Sequence, residues 1–381
     1  MSTDPEPELS YDSLQQRLER ILLGGRRKYT RLDVAAKSGV PEERSRRIWR
    51  ALGFAGVSDD EVVFTDADIE AIRIADQLVR SGVVPADLEL SVTRVLGQHL
   101  SRLAEWQVHM LWNLITENAV DGQNERQIAR LVEAVLPELE QVQNFVWRRH
   151  LAAYAGRALA APDEDLETRA QCVGFVDMVG YTRMTRRIDE AELSEVLDRF
   201  EAVVTEVIAE RRGRVVKMIG DEVLFVADTA VDAAEIALTL TERTDADKDL
   251  PAVRGGLAAG RVLNRFGDVY GSVVNLASRL TSVARPGTIL VDRELATELD
   301  GEPGYELRVR RPIAVRGYSR LRPAALRRAR EQPGGLFASS QQLAAEMLGL
   351  TPPSTEDPET ESSEDTEPDS TTPPRRRRRR R

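Results

Sequence analysis

Two aspartates stand where chemistry could occur, because each follows a strand-like apolar run at a turn. Asp177 comes directly after the run that begins at Gln171, and Asp221 belongs to the Gly220-Asp221 pair between two further apolar runs. Strand ends can converge at one edge of a sheet, and carboxylate oxygen combined with phosphate oxygen is a ligand set that Mg²⁺ prefers. The spacing therefore indicates a two-metal phosphoryl-transfer site as one interpretation. On spacing alone, both aspartates could equally serve only their turns.

The segments around the two aspartates predict an α+β domain with a mostly antiparallel sheet. Asp189 has the spacing of a helix cap before an apolar stripe that Gly213 ends. Gly220-Asp221 is a two-residue hairpin signal. Strands are predicted over 171–176, 214–219, 222–227, 253–262 and 288–291, and helices over 193–208, 231–240 and 272–283.

Three ordered motifs in this region resemble those of the class III adenylate and guanylate cyclases. They are Phe175-Val176-Asp177-Met178-Val179-Gly180-Tyr181-Thr182, Lys217-Met218-Ile219-Gly220-Asp221, and Asp268-Val269-Tyr270-Gly271-Ser272-Val273-Val274-Asn275-Leu276-Ala277-Ser278-Arg279. The resemblance covers roughly residues 171–321. It implies a catalytic domain over 166–332 with a ferredoxin-like βαββαβ core.

The resemblance also implies a metal and phosphate site. Asp177 and Asp221 would hold two Mg²⁺ or Mn²⁺ ions per active site, which activate the ribose 3′-hydroxyl of ATP and neutralise the departing phosphates. The backbone N–H groups of a turn before a helix would cradle phosphate oxygens. The residues of this turn are Met178, Val179, Gly180, Tyr181 and Thr182.

Base recognition is implied for Lys217 and Asp268. The ammonium group would donate to adenine N1 and the carboxylate would accept from the exocyclic amine. Guanine reverses both requirements, so buried polar groups would be left unpaired with GTP. The expected activity is therefore that of an adenylate cyclase, which forms cyclic AMP and pyrophosphate from ATP.

The remaining site residues implied by the family lie later in the chain. Asn275 and Arg279 are four residues apart on one helix face, where Asn275 would orient the ribose and Arg279 would stabilise charge on the α-phosphate. Arg316 stands where the family often has a lysine that contacts the leaving phosphates, and arginine and lysine are not interchangeable at such sites.

A homodimer is also implied by the resemblance. In this family the metal and base residues come from one subunit, and the asparagine and arginine come from the other. One chain type here carries both sets, so two equivalent sites are expected at a symmetric subunit interface. Two alternatives stay open: a guanylate cyclase, and a DNA-binding regulator whose cyclase-like domain only senses nucleotide.

Residues 1–165 are predicted to form an all-α regulatory domain. The segment Tyr29 to Phe54 has a helix-turn-helix pattern, and its second half carries four arginines that could contact DNA. We favour protein contacts instead, so DNA binding is not expected. These arginines are Arg44, Arg46, Arg47 and Arg50. The region weakly resembles regulatory domains that precede some actinobacterial cyclase domains.

Two long apolar stripes follow, and we expect them to form a helical core and dimer contacts. They contain Leu100, Leu103, Trp106, Leu111 and Ile115, then Ile128, Leu131, Val135, Leu139, Val142, Phe145 and Val146. The histidines His99, His109 and His150 all lie in this half of the chain. A pH signal sensed by them is one hypothesis, and a lipid bound among the helices is another.

Composition fits an enzyme in the cytoplasm. The 381 residues are 41% hydrophobic and carry a net charge of −10, which disfavours non-specific nucleic-acid binding. Cys172 is the only cysteine, which excludes an intrachain disulfide. The polar segment 333–381 is predicted to be mostly disordered. It ends in seven arginines that could contact an anionic membrane or nucleic acid, or could simply be solvated.

Overall fold

The N-terminal half of the chain is helical in the computed structural model, which describes residues 11–117, 125–160, 165, 167–315 and 317–329. Short helices come first because capping residues and glycines interrupt the apolar pattern, as where Thr30 caps one helix and Gly39 ends it with φ of 76°. The helices are α1 (Tyr11–Leu22), α2 (Arg31–Ser38), α3 (Glu42–Ala51), α4 (Asp66–Arg80), α5 (Glu89–Glu117) and α6 (Glu125–Ala160).

Helices α2 and α3 form the predicted helix-turn-helix, and an arginine on α3 forms ion pairs with two neighbouring helices. Arg44 on α3 donates to the carboxylates of Asp76 on α4 and Glu89 at the start of α5, the latter at 2.6 Å. Both carboxylate side chains are only 10% exposed. This buried ionic cluster joins three helices, so Arg44 has a structural role.

The C-terminal half is the predicted α+β domain. Its elements are β1 (Thr168–Met178), α7 (Tyr181–Met184), α8 (Glu190–Glu210), β2 (Arg214–Ile219), β3 (Glu222–Ala227), α9 (Ala230–Ala246), β4 (Val253–Arg265), β5 (Asp268–Tyr270), α10 (Ser272–Val283), β6 (Ile289–Val291), α11 (Arg293–Glu298), β7 (Tyr305–Val309), β8 (Ile313–Val315), β9 (Tyr318–Leu321) and β10 (Ala324–Arg328). The main sheet runs β2-β3-β1-β4-β6-β10-β7, with β5 paired to β4. The β2-β3-β1-β4 part is the ferredoxin-like core, in which the three neighbouring pairs are antiparallel.

The two faces of the sheet bury separate cores. Helices α8 and α9 cover one face, and α10 covers part of the other, where it packs on β1 and β4. Gly256 permits this packing, because a Cβ there would lie 2.4 Å from the carbonyl oxygen of Ala277 on α10. Cys172 lies in the first core, where burial raises the pKa of its thiol to about 12. It is therefore unsuited to redox chemistry.

The predicted element types in the catalytic half are confirmed. Strands β2 and β3 and helix α10 have the predicted bounds, and Asp189 caps α8 by accepting from the Glu192 N–H at 2.9 Å. The elements α7, β5 and α11 and the strands β7 to β10 were missed. The domain boundaries at 165 and 332 stay predictions, since the joint at 161–164 and the segment 333–381 lie outside the described residues.

The apolar stripes form helices α5 and α6, but the prediction that they build a core is wrong for much of their length. Several of their side chains are exposed in the single chain, because the two helices are long and other elements cover only part of each. The exposed set includes Leu100, Trp106, Val142, Phe145 and Val146. Dimer contacts by these residues stay a prediction. None of the helices in the described residues combines the length and apolarity needed to span a membrane.

The Arg44 cluster leads to a stability prediction. Replacing Arg44 with Met leaves Glu89 without its buried partner, so we expect the free energy of unfolding of the helical half to fall by about 3 kcal/mol. Arg47 lies on the same helix but is exposed, and Arg47→Met should change stability by less than about 0.5 kcal/mol. Urea unfolding followed by circular dichroism measures both. Equal losses in the two variants would contradict the structural role of Arg44.

Candidate active site

An acidic cluster lies at one end of the sheet, where β1 ends and the β2–β3 turn passes it. Asp177 is paired in register with Glu222 at the start of β3. Gly220 takes φ of 63° in the turn, a conformation that favours glycine. The Met178 N–H donates to the carbonyl of Asp221 at 3.0 Å, which ties the turn to the end of β1. The structure thus brings Asp177 and Asp221 together as the sequence predicted.

Arg254 on β4 supplies the positive charge of this cluster. It lies opposite Asp177 in the sheet register, and its Nε and Nη2 donate to Asp177 Oδ2 at 2.8 and 2.7 Å. Its Nη1 reaches the carbonyl of Ser282 at 3.4 Å, near the end of α10. The sequence reasoning missed both Arg254 and Glu222. Arg254 could have been identified only from the strand register. Glu222 could have been identified from the sequence, because it is an acidic residue at the start of an apolar strand.

The cluster holds more negative charge than Arg254 neutralises. Burial raises the pKa of Asp221, and the Asp177 carboxylate raises it further through charge and a shared hydrogen bond. Burial, followed by repulsion from Asp177 and Asp221, raises the pKa of Glu222 to about 7. Such shifts mark a place where a cation would be stabilised.

The donors fit a divalent metal that arrives with its substrate. In the described part of the chain, no group of three or more His, Cys, Asp and Glu side chains is arranged to hold a metal ion. Magnesium sites for phosphate substrates commonly use one or two carboxylates and complete their shell with water and phosphate. Asp177 and Asp221 match this donor set, and burial together with the neighbouring Asp177 charge raises the pKa of Asp221, so a cation would be favourable there.

The predicted phosphate cradle follows β1 directly, and the structure reduces the number of backbone N–H groups that are available in it. The N–H groups of Met178 and Val179 already donate to the carbonyls of Asp221 and Ala252, at 3.0 and 2.8 Å. They are therefore not available as phosphate donors in this arrangement. Gly180, with φ of 83°, turns the chain into α7 and is followed by Tyr181 and Thr182. The predicted cradle is therefore limited to the N–H groups of Gly180, Tyr181 and Thr182.

The predicted base-reading pair is in contact. Lys217 Nζ lies 2.6 Å from Asp268 Oδ2, which joins β2 to β5 across 51 residues of sequence. Lys217 pairs with Leu224, and Leu224 belongs to the core on the α10 face. Cross-strand partners share a face of the sheet, so Lys217 lies on the face that α10 only partly covers. Both side chains stay accessible, at 43% and 27% exposure.

Asn275 and Arg279 lie on α10, as predicted, with Asn275 exposed and Arg279 half-buried. Among the described residues, no hydrogen bond or ion pair joins either side chain to Asp177, Asp221 or the base-reading pair. The single chain therefore leaves the two sets of predicted site residues unconnected. Arg316 lies outside the described residues.

The helical half offers little for DNA recognition. Arg44 is used in the buried cluster, and Arg46 donates to Glu42 at 2.5 Å. Arg47 and Arg50 remain exposed. The expectation against DNA binding stays a prediction. The three histidines are exposed on α5 and α6, and the His99 ring contacts the carbonyl of Val95 at 2.8 Å. Their proposed role in pH sensing stays a prediction.

Both halves of the chain match known protein families. Residues 166–327 match the family described as adenylate and guanylate cyclase catalytic domain. Residues 11–151 match the family described as adenylate cyclase regulatory domain. The acidic cluster and the base-reading pair lie in the first of these regions, and the Arg44 cluster lies in the second.

Three relatives are similar over most of their length. An adenylate cyclase of Streptomyces coelicolor is 44% identical over 78% of this chain and 79% of its own. An adenylate cyclase of Glutamicibacter nicotianae is 38% identical over 84% of this chain and 83% of its own. A pH-sensitive adenylate cyclase of Mycobacterium tuberculosis is 33% identical over 75% and 74%, respectively. The similarity therefore extends across both halves of the chain.

The pKa of Glu222 leads to a prediction of pH-dependent stability. The unfolded chain releases this proton near pH 4.5 and the folded chain near pH 7. The stability linked to the raised pKa is therefore full below pH 4.5 and is lost as the pH rises towards 7. In EDTA, Glu222→Gln should match the parent protein at pH 4.5. It should be more stable by about 1 to 2 kcal/mol at pH 8, after allowance for solvent screening.

Urea unfolding at the two pH values measures this difference. The exposed Glu302 provides a control, since Glu302→Gln should leave the pH dependence unchanged. A gain from Glu222→Gln that is the same at pH 4.5 and pH 8 would show that Glu222 is not a titrating member of the cluster.

Proposed function

The chain belongs to the class III adenylate and guanylate cyclase family, and from this premise we propose that it converts ATP to 3′,5′-cyclic AMP and pyrophosphate. The observation that carries the choice of ATP is the 2.6 Å contact between Lys217 and Asp268. The substrate's own 3′-oxygen forms the new bond to the α-phosphorus as the bond to pyrophosphate breaks.

The acidic cluster would hold the metal ions that this chemistry needs. When bound at Asp177 and Asp221, two Mg²⁺ or Mn²⁺ ions supply Lewis-acid activation of the 3′-hydroxyl and charge neutralisation on the phosphates. The protein's own part is to hold the carboxylates in place. Arg254 fixes Oδ2 of Asp177 with two hydrogen bonds. Gly180, Tyr181 and Thr182 would cradle phosphate oxygens with their backbone N–H groups.

Adenine would be read by the base-reading pair. Lys217 would donate to N1, and Asp268 would accept from the exocyclic amine. With guanine, the ammonium group would meet N1–H and the carboxylate would meet O6, so both contacts would become repulsive. Once a bound base covers these side chains, such a mismatch of polar groups discriminates strongly between substrates. This pair also weighs against the guanylate cyclase alternative.

A homodimer would complete the site. Asn275 would orient the ribose and Arg279 would stabilise the charge on the α-phosphate from the second subunit. Arg316 would contact the leaving phosphates. Ile219, two residues along β2 from Lys217 and therefore on the same face of the sheet, has an exposed side chain, as expected for a surface that a partner covers.

Regulation is assigned to the helical half, since it matches a regulatory family. A pH signal or a bound lipid are the two inputs we put forward, and one relative is named pH-sensitive. The enzyme would act in the cytoplasm. The terminal arginines could hold it at an anionic membrane or at nucleic acid, and these arginines lie outside the described residues.

The activity is tested with purified full-length protein, Mn²⁺, and ATP or GTP, with cyclic nucleotide and pyrophosphate measured together. We expect ATP to be preferred and Asp221→Asn to lower kcat at least about 100-fold, because a metal ligand is lost. Lys217→Glu should lower kcat/KM for ATP by about 100-fold, since a base contact becomes repulsive.

Lys248→Glu is the matched control, because it makes the same charge change at an exposed site. It should leave kcat/KM within about twofold of the parent value. Preference for GTP in the parent protein would overturn the assignment of the base-reading pair. Absence of product with either nucleotide would overturn the proposed activity.

The shared site is tested by mixing two inactive chains. Asp221→Asn and Arg279→Ala damage opposite halves of the site, so a mixed dimer regains one intact site. Random association yields half mixed dimers with one of two sites working, so co-expression should restore about a quarter of the parent activity. Activity no greater than the sum of the two variants alone would show that each chain uses its own Asn275 and Arg279.

A further inference from the structure

An arginine-lined cavity lies at the end of the sheet opposite the acidic cluster. It has a volume of about 330 Å³ and opens between the end of α6, the start of β1, the α8–β2 turn and the end of β3. From Gln171 in this cavity to Asp177 the strand rises by roughly 20 Å. The cavity is therefore separate from the candidate active site. Its charged and polar lining comprises Arg157, Arg169, Gln171, Arg212, Arg214 and Asp228.

The positive charge of the cavity exceeds its acidic partners. Arg169 lies 3.4 Å from Asp228, and Arg212 lies 3.8 Å from Asp232. No carboxylate of the described residues forms an ion pair with Arg157 or Arg214. Four guanidinium groups thus face two carboxylates, in a chain whose net charge is −10.

The pKa of Arg214 reflects the positive charge of the cavity. Burial lowers the pKa of its guanidinium, and the charges of Arg169 and Arg157 lower it further, against opposing effects of Tyr154 and Asp228. Its two terminal nitrogens donate to the carbonyl of Gly267 and to Asn264 Oδ1, at 3.3 and 3.4 Å. The guanidinium is therefore held in place by neutral groups that leave its charge uncompensated.

Gln171 provides an independent indication that this cavity suits a polar ligand. The residue is 3% exposed, and its Nε2 donates to Asp228 Oδ1 at 3.0 Å. That bond fixes the orientation of the amide. The Oε1 atom is buried and has no hydrogen-bond partner among the described residues. An unpaired buried acceptor is unfavourable. A ligand that complements the cavity therefore carries negative charge for the arginines and an O–H donor for Gln171 Oε1.

The backbone also holds an arginine at this place against its conformational preference. Arg212 follows α8 with φ of 59°, where glycine or asparagine is usual. The turn is closed by the Gly213 N–H, which donates to the carbonyl of Ile208 at 2.8 Å. Gly213 cannot be replaced freely, because a Cβ there would lie 2.5 Å from Ile236. The turn thus sets Arg212 at the cavity wall.

We propose that this cavity binds a small anion with two or more phosphoryl groups, which links Arg157 on α6 to Arg169 and Arg214 on the sheet. Such an anion supplies several negative oxygens for the guanidinium groups. When singly protonated, it also supplies an O–H for Gln171. Arg157 lies between the region that matches the regulatory family and the region that matches the catalytic family. The bound anion would therefore fix the end of the regulatory helix against the catalytic sheet.

Inorganic pyrophosphate is the probe, and calorimetry on the full-length protein in EDTA measures its binding without any metal at the acidic cluster. We expect saturable binding of one pyrophosphate per chain. Arg157→Gln and Arg169→Gln should each weaken it about tenfold, the usual effect of losing one charged hydrogen bond. Arg157 is exposed, so its replacement leaves the sheet intact. Arg293→Gln, at an exposed site on α11, should leave affinity unchanged.

Arg316→Gln separates the cavity from the active site, because Arg316 is the residue proposed to contact the leaving phosphates. If it abolishes binding while Arg157→Gln does not, pyrophosphate occupies the active site and the proposal is wrong. Weak binding that is equal in all variants and disappears with added salt would likewise overturn it, as would no binding at millimolar pyrophosphate. Because no turnover is measured, a failure here leaves the proposed cyclase activity untouched.

Discussion

The antiparallel register of β1 between β3 and β4 is the constraint on which the site depends. It places Asp177 opposite Glu222 on one side and Arg254 on the other. Like charges brought together at a partly buried position are unfavourable, as the raised pKa of Glu222 and of Asp221 shows. The buried apolar residues along β1 make this register stable, because a slip by one residue would turn Asp177 to the opposite face.

Helix α10 depends on the same strands. Its close approach to β4 is possible only because Gly256 has no side chain. The end of the helix then meets Arg254, which contacts Ser282 and Asp177 with the same guanidinium group. The helix that carries Asn275 and Arg279 is thus positioned by the strand whose Arg254 neutralises Asp177, a proposed metal ligand. In the proposed dimer, a displacement of α10 in one subunit would move the transition-state residues of the neighbouring site.

The sequence predicted the parts of this arrangement that are encoded locally. Periodicity and turn residues located β2, β3 and α10, and the three motifs indicated Asp177, Asp221, Lys217 and Asp268. Arg254 was missed because its role follows from pairing across 77 residues. The partners of Arg44 were not identified from the sequence, because Asp76 and Glu89 come into contact with it only after three helices pack. For α5 and α6, the pattern predicted helices but not the outward direction of side chains such as Trp106 and Phe145.

The two ends of β1 limit how the helical half can act on catalysis. Residues Thr168 to Met178 are paired continuously with β4, so a pull from α6 cannot slide β1 without breaking the pairing that holds Asp177. Sliding would break all the hydrogen bonds between β1 and β4. Moving the catalytic domain as a rigid body breaks none of its internal contacts. In the proposed dimer, a regulatory signal that enters near Arg157 would therefore change the position of the whole catalytic domain relative to its partner. A site divided between two subunits is sensitive to that displacement, because Asn275 and Arg279 would then leave the neighbouring acidic cluster.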